Sequence, residues 1–201
     1  MLLNERFQLI LATRNPHKVI EIKDVLSDRI IDIATLIDYP DIPEIVEDGM
    51  TIEENALKKA REIHRATGIF TLADDTGLEV DYLGGQPGVH SNRFAGELAT
   101  YALNNEKLIK LMKDVPWEKR TACFRCVLAI VDKGLEHIIE GQCHGYITTE
   151  SRGDRGFGYD PLFYVPEYDQ TFAQMASALK NKISHRGLAL QKLKKYFENN
   201  P

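Results

Sequence analysis

The sequence predicts a mixed α/β fold with a partly antiparallel central sheet that is flanked by helices. In the first half of the chain, short apolar runs alternate with amphipathic helical patterns, as in parallel β-α-β units. Further on, two strand patterns at 121–131 and 137–147 flank a turn at 132–134, which indicates an antiparallel hairpin. The length of 201 residues suits one domain over 1–201, and we expect it to have two lobes with a substrate cleft between them.

The first strand and helix follow from apolar spacing and capping residues. Residues 7–12 form a short apolar run, as expected of a strand that is buried on both faces. Asn15 is a good N-cap and Pro16 suits the first turn of a helix, so a helix follows this strand. Residues 30–34 predict the second strand, which completes a β-α-β unit.

A loop separates this unit from the next helix and strand. Prolines, a glycine and acidic residues make 35–50 a loop. Thr51 and Glu54 form a capping box that begins a second helix, and Gly68 ends it. The apolar run at 69–73 predicts a third strand, which stops at the two aspartates that follow it.

The second half of the chain combines turns, helices and the hairpin. Turn residues dominate 84–92, and apolar spacing predicts a helix at 100–112. A glycine-rich loop at 153–158 follows the hairpin. We expect Ser184 to cap the last helix.

Composition argues against several classes of function. The chain has 25 Lys and Arg against 30 Asp and Glu, a formal net charge of −5, so we expect no nucleic-acid partner. The N-terminal residues lack the pattern of a secretory signal, and no run of about 18 apolar residues occurs, so we expect no membrane association. These features predict a cytoplasmic location.

The three cysteines are an odd number, which argues against a disulfide framework. Cys123 and Cys126 have the C-x-x-C spacing of many metal sites, but both lie in the strand pattern at 121–131. Residues three apart on a strand point to opposite faces, so we do not expect these two thiols to share a metal ion.

The first candidate site lies where the first strand meets its helix. Backbone N–H groups and the positive end of the helix dipole favour an anion there. The side chains at this junction are Thr13, Arg14, Asn15, Pro16, His17 and Lys18. They predict a phosphate site, although an ordinary capped helix has the same local pattern, since no glycine-rich phosphate motif is present.

The second candidate site is acidic. Asp74 and Asp75 follow the third strand, at the edge where open α/β sheets bind ligands. Carboxylate oxygens suit Mg²⁺, which keeps several waters and bridges to substrate phosphates, and Glu47 in the loop is a further candidate ligand. Each aspartate alone is equally compatible with capping the following turn.

Asp75, Thr76 and Gly77 also match the Asp-Thr-Gly motif of aspartic proteases. Such an enzyme needs a second aspartate that shares a proton with the first, so a single copy of the motif requires a homodimer. The neighbouring Asp74 and the helix-rich surroundings fit this alternative poorly.

The third candidate site lies late in the chain. Two glycines flank Phe157 and allow the backbone to approach a flat ligand, while Phe157 and Tyr159 are able to stack on a nucleobase. Hydrogen-bond donors follow at Lys180, His185 and Arg186. A glycine-rich turn that leads into a strand is the simpler explanation of the same residues.

Five segments together resemble a known family. They are LATRNPHK, EDGMTIEENALKKA, ADDTGLEVDYLGGQPGVHSNRFAG, GFGYDP and KNKISHRG, and they span nearly the whole chain. The sequence resembles the inosine/xanthosine triphosphate pyrophosphatases, house-cleaning nucleotide hydrolases of the Ham1/RdgB type. The resemblance implies that ITP, dITP and XTP are hydrolysed to a monophosphate and pyrophosphate by a Mg²⁺-dependent homodimer with a long cleft.

The same resemblance implies roles for residues. The segment 13–18 would hold the triphosphate, with Arg14 where a small residue is common, and Thr76 stands where the family usually has serine. Asp75 would accept a proton and bind the metal together with Glu47. The implied contacts to the base and the rest of the substrate are Phe157, Gly158, Tyr159, Asp160, Lys180, His185 and Arg186.

The predicted substrates share a carbonyl at position six of the purine, where adenosine has an amine. Donors from His185, Arg186 and backbone N–H groups would match the carbonyl and reject the amine, because unpaired buried polar groups discriminate strongly. A catalytically silent nucleotide-binding module is the alternative function. Such a module would need no acidic cluster, so the acidic residues argue against it.

Overall fold

A parallel β-α-β unit opens the fold, as the sequence predicts. The computed structural model describes residues 7–27 and 31–200. Strand β1 (Phe7–Leu11) leads into helix α1 (Pro16–Leu26), and β2 (Ile31–Thr35) pairs in parallel with β1. The prediction begins β2 one residue earlier, outside the described residues.

Helix α2 (Ile52–Thr67) begins and ends at the predicted caps. The Thr51 side chain accepts a hydrogen bond from the backbone N–H of Glu54 at 3.1 Å. The Glu54 carboxylate accepts from the backbone N–H of Met50 at 2.7 Å, so the capping box closes one residue earlier than its usual pattern. Gly68 ends the helix with a φ of 68°, a left-handed conformation that glycine adopts without strain.

Strand β3 (Phe70–Val80) is longer than the sequence predicts. Its first residues pair in parallel with β1. Asp74 and Asp75 lie inside this strand, so the prediction that the strand stops before them is wrong. Charged residues are rare in a buried strand because an unpaired charge is costly to bury, and here cations from other elements compensate both carboxylates.

The other elements complete a mixed sheet. They are β4 (Pro87–Gly88), α3 (Tyr101–Leu111), β5 (Thr121–Asp132), β6 (Leu135–Ile147), β7 (Phe163–Val165), β8 (Gln170–Thr171), α4 (Ser177–Ile183) and α5 (His185–Asn199). The strand order is β2-β1-β3-β5-β6-β7-β8, and β4 pairs with β3. Because β1 pairs in parallel with its neighbours while β7 pairs antiparallel with β6 and β8, the predicted mixed sheet is confirmed.

The predicted helices at α3 and α5 are also present. Ser184 is extended and lies directly before α5, but α4 precedes it and has no counterpart in the prediction. The strands β4, β7 and β8 are missed as well. Strands of two or three residues are too short to show an alternating pattern.

The chain divides into two compact units. Unit 1 comprises Met1–Asp75, Cys126–Gly141 and Arg186–Pro201, and unit 2 comprises Thr76–Arg125 and Gln142–His185. The core of unit 1 includes Leu9, Leu11, Ile22, Leu26, Leu72, Leu128, Ile130, Leu190 and Leu193. The core of unit 2 includes Leu78, Val80, Leu108, Met112, Phe124, Ile147, Leu162, Phe163 and Phe172. Among the helices of the described residues, none is both long and apolar enough to cross a membrane.

Candidate active site

Unit 1 contains a buried cluster of charged side chains, which we call the charged cluster. Its members are Lys18 of α1, Lys59 of α2, Asp74 and Asp75 of β3, and Arg186 of α5. Each is no more than 7% exposed. Burying a charge is unfavourable unless it is paired, so the partners within the cluster determine what each group does.

Asp74 is the most heavily paired anion of the charged cluster. Its carboxylate accepts a hydrogen bond from Arg186 Nε at 2.8 Å and one from the Cys126 thiol at 3.1 Å, and it forms an ion pair with Lys18. Burial is the largest single influence and raises the pKa of Asp74, but the charges of Arg186 and Lys18 together hold that pKa well below 3.8. Asp74 is therefore an anion at neutral pH.

Asp75 has the opposite electrostatic character. Burial raises its pKa above 3.8, with Glu47 adding to the rise and Lys59 and Lys18 opposing it. Its Oδ1 accepts a hydrogen bond from Lys59 Nζ at 3.0 Å. A carboxylate with a raised pKa is a stronger base than an ordinary aspartate, so Asp75 is the better candidate for accepting a proton.

Lys59 connects the two carboxylates that the sequence predicts as metal ligands. Its Nζ donates to Glu47 Oε1 at 2.7 Å and to Asp75 Oδ1 at 3.0 Å, and also to the backbone carbonyl of Asp74 at 2.8 Å. Burial lowers the pKa of Lys59, but the charges of Asp75 and Glu47 raise it to a net value above 10.5. The ammonium is therefore a cation held between two carboxylates.

Sequence reasoning missed Lys59, although a signal was present. The buried face of α2 consists of Ile52, Asn55, Ala56, Lys59, Ala60 and Ile63. A lysine and an asparagine at helical spacing among apolar residues predict a buried polar site rather than a solvated surface. It also missed Glu21 of α1, whose carboxylate accepts from Arg186 Nη1 at 2.5 Å.

The carboxylates that contact Lys59 meet some of the requirements of a divalent-cation site. Within residues 7–27 and 31–200 no group of three or more His, Cys, Asp or Glu side chains is arranged to hold a metal. Glu47 and Asp75 nevertheless converge on one cation, the Lys59 ammonium. Since Mg²⁺ in nucleotide sites is commonly held by one or two carboxylates plus waters and substrate phosphates, these two residues suit it.

The residues at the start of α1 that the sequence predicts to bind phosphate also form an ordinary helix cap. Asn15 Oδ1 accepts hydrogen bonds from the backbone N–H groups of His17 and Lys18, and Thr13 Oγ1 accepts from the backbone N–H of Asn15 at 3.1 Å. Arg14 donates to the backbone carbonyl of residue 42 at 2.6 Å. Pro16, the first residue of α1, and His17 are exposed, so this end of the helix is open to an anion.

Unit 2 contains the glycine-rich turn, residues 156–160, which the sequence predicts to bind a base. Asp160 Oδ2 accepts a hydrogen bond from the backbone N–H of Phe157 at 2.8 Å and one from Lys180 Nζ at 2.6 Å. Lys180 Nζ also lies 5.1 Å from the centroid of the Phe157 ring. A Cβ atom on Gly156 would come within 2.0 Å of Asp160 Oδ2, so only glycine fits at that position.

Two of the predicted substrate contacts, Tyr159 and His185, are buried in unit 2. Tyr159 is 4% exposed, and its hydroxyl donates to the carbonyl of Ser91 at 2.8 Å. The His185 ring stacks on Phe124 with centroids 4.5 Å apart. Because the Tyr159 ring packs in the core, Phe157 is the stronger candidate for stacking on a base.

The structure thus places the predicted residues in two groups. Unit 1 holds segment 13–18, Glu47, Asp75 and Arg186. Unit 2 holds Thr76, Phe157, Gly158, Tyr159, Asp160, Lys180 and His185. The prediction treats Arg186 as a contact beside His185, but its guanidinium is engaged by Asp74 and Glu21.

The depressed pKa of Asp74 predicts a loss of stability in acid. As pH falls below about 4, the unfolded chain takes up a proton at this residue while the folded chain does not, so the free energy of unfolding decreases. Urea denaturation from pH 6 to pH 2.5 measures this slope. We expect Asp74→Asn to flatten it, and Asp114→Asn, at an exposed carboxylate, to leave it nearly unchanged. Equal slopes in wild type and Asp74→Asn would contradict the prediction.

A mixed α/β fold, a helix N-terminus beside basic side chains and an aromatic glycine-rich turn are features that many nucleotide-binding proteins share. The chain belongs to the Ham1 family, whose sequence profile matches residues 9–196. It is 49% identical over 190 residues to a dITP/XTP pyrophosphatase of Thermoanaerobacter pseudethanolicus, covering 94% of this chain and 96% of that protein. It is 51% identical over 187 residues to a dITP/XTP pyrophosphatase of Bacillus licheniformis, covering 92% and 95%.

Solved structures agree with this assignment. The structure of a HAM1 protein from Coxiella burnetii matches with a TM-score of 0.88 and 38% identity, covering 96% of this chain and 99% of that one. The predicted family and mixed α/β fold are thereby confirmed. Family membership and the pairing of Asp75 with Lys59 argue against the aspartic-protease alternative, which requires two carboxylates that share a proton.

Proposed function

We propose that this protein hydrolyses the non-canonical purine nucleoside triphosphates ITP, dITP and XTP to the nucleoside monophosphate and pyrophosphate. The observation that carries the proposal is the charged cluster, in which Lys18 pairs with Asp74 and Lys59 holds Asp75 beside Glu47. Asp74 is an anion that holds Lys18 and Arg186 in place, and Asp75 is a stronger base than usual. The names of the two relatives and the Ham1 membership support the same activity.

In this reaction a water molecule attacks the α-phosphorus, and the bond from that phosphorus to the bridging oxygen of pyrophosphate breaks. Asp75 takes a proton from the attacking water. Lys59 orients the Asp75 carboxylate through its hydrogen bond to Oδ1. Lys18, at the N-terminus of α1, adds a fixed positive charge that favours the charge developing on the leaving pyrophosphate.

Glu47 and Asp75 are the residues that would hold Mg²⁺, together with waters and phosphate oxygens. When bound, the ion supplies positive charge that polarises the phosphoryl oxygens and acidifies bound water. Lys59 contacts both carboxylates and therefore keeps them close together.

The glycine-rich turn of unit 2 is the proposed base site. Phe157 would stack on the purine, and backbone N–H groups with His185 would donate to the carbonyl at position six. Adenine presents an amine at that position, so its donors would face protein donors. We therefore expect keto-purines to be preferred.

A panel of nucleoside triphosphates tests the proposal. Release of pyrophosphate from ITP, XTP, dITP, ATP and GTP is measured with Mg²⁺ and with EDTA, and the monophosphate is identified as product. We expect hydrolysis of ITP, dITP and XTP to exceed that of ATP, and EDTA to abolish it. Binding of ITP without turnover would favour the catalytically silent module, and release of inorganic phosphate alone would contradict the reaction proposed.

Several finer expectations stay predictions. These are Mg²⁺ as the particular ion, a homodimer, a single domain over 1–201 and a cytoplasmic location. Light scattering after size-exclusion chromatography tests the dimer, and a comparison of Mg²⁺ with Mn²⁺ in the same hydrolysis assay tests the ion.

A further inference from the structure

Helix α3 carries two consecutive asparagines that the proposed mechanism does not use. The Asn104 side chain binds one segment of unit 2, because its Oδ1 accepts from the backbone N–H of Ala95 at 2.8 Å and its Nδ2 donates to the Asn92 carbonyl at 3.0 Å. Asn105 binds a different segment. Its Nδ2 donates to the carbonyl of Gly158, within the glycine-rich turn, at 3.0 Å.

The same helix contacts the glycine-rich turn at a second position. The Tyr101 ring lies 6.0 Å from the Phe157 ring, measured between centroids. Tyr101 and Asn105 are four residues apart, so they lie on the same face of α3. This face of α3 therefore contacts both the ring proposed to stack on the base and the backbone carbonyl one residue beyond it.

The hydrogen bond to Gly158 acts where the backbone is unusual. Gly158 has a φ of 61°, a left-handed conformation, and a second left-handed glycine, Gly156, precedes Phe157. Two such glycines give the turn many alternative conformations. The Asp160 carboxylate accepts a hydrogen bond from the backbone N–H of Phe157, and the Asn105 amide donates to the backbone carbonyl of the next residue, Gly158. The backbone is therefore held on both sides of the Phe157 side chain.

The other end of the Asn105 amide is its carbonyl oxygen, Oδ1. Its Oδ1 is buried, and no donor among residues 7–27 and 31–200 reaches it. A buried acceptor without a hydrogen bond is unfavourable for folding, so this asparagine is not the best choice for stability alone. A role in holding the glycine-rich turn accounts for its presence.

We propose that Asn105 is a positioning residue for base recognition, which holds the Gly158 carbonyl and so fixes Phe157 in the orientation that stacks on the purine. The inference rests on the proposed function, in which the glycine-rich turn takes the base. It assigns to α3 a part in substrate discrimination that none of the predicted site residues supplies.

The test measures binding of the base and binding of the phosphate chain separately. Asn105→Asp keeps the shape of the side chain but replaces the donor Nδ2 by an acceptor, and Asn105→Ala removes the amide without adding charge. We expect KM for ITP and the dissociation constant for inosine monophosphate to rise about three- to tenfold, with kcat within about twofold of wild type. Inhibition by inorganic tripolyphosphate, which has no base, is expected to stay unchanged.

Glu106→Ala, at the exposed neighbour on the same helix, is the matched control and should leave every value unchanged. Wild-type affinity for inosine monophosphate in both Asn105 variants would overturn the inference. If both variants bound inosine monophosphate and tripolyphosphate more weakly by the same factor, or if both failed to fold, the inference would also be overturned in favour of a purely structural role. The affinity for inosine monophosphate is measured by calorimetry, which requires no turnover. A wild-type protein that leaves ITP intact would therefore refute the proposed function without deciding the role of Asn105.

Discussion

Replacing Asp75 by asparagine is expected to lower kcat for ITP hydrolysis by about 10²- to 10⁴-fold, the usual contribution of a positioned general base. Asparagine has nearly the same shape and its carbonyl can still accept from Lys59, but it cannot take the proton of the attacking water. The measurement is the initial rate of pyrophosphate release at saturating ITP and Mg²⁺. Near wild-type turnover under these conditions would show that Asp75 is not the base.

The same variant is expected to fold normally, which makes the result interpretable. Burial raises the pKa of Asp75, so its charged form is disfavoured in the folded chain and a neutral residue does not reduce the free energy of unfolding on that account. Lys59 keeps Glu47 and the Asp74 carbonyl as partners. Asp114→Asn makes the identical chemical change at an exposed site and should retain full activity.

The local elements of this fold can be predicted because their signals are local. Asn15 and Thr51 cap helices by hydrogen bonds to residues two or three positions away, and Gly68 ends a helix through its own backbone conformation. The length of β3 cannot be predicted in the same way. Two aspartates inside a buried strand are tolerated only because cations reach them, and Arg186, the main partner of Asp74, is 112 residues away.

In the candidate site, too, residues within motifs can be predicted from the sequence, whereas residues placed by tertiary packing cannot. Motifs pointed to Asp75 and to the glycine-rich turn, since glycine, aromatic and acidic residues are informative in sequence. Asn105 lies in an ordinary amphipathic helix, and its contact with Gly158 depends on tertiary packing. The burial of the Tyr159 ring likewise follows from packing in the core of unit 2, which a residue pattern does not specify.

Replacing Arg186 by methionine is expected to lower the free energy of unfolding by about 3–5 kcal/mol, because it leaves the buried Asp74 carboxylate with one fewer cation. The side chains of Arg186 and Asp74 are 2% and 1% exposed, so solvent cannot replace the lost partner. Urea denaturation at pH 7 measures the change. A loss below about 1 kcal/mol would place this pair among ordinary surface ion pairs.

Two further variants show whether the loss comes from the unpaired charge or from lost packing. Arg61→Met removes the exposed ion pair with Glu136 and is expected to change the free energy of unfolding by less than about 1 kcal/mol. Asp74→Leu combined with Lys18→Met and Arg186→Met removes the anion together with both of its cations, and we expect the triple variant to be more stable than Arg186→Met alone, since it leaves no unpaired charge at this position. If the triple variant is the less stable of the two, packing of the Arg186 side chain and its bond to Glu21 account for the stability, and the ion pair with Asp74 does not.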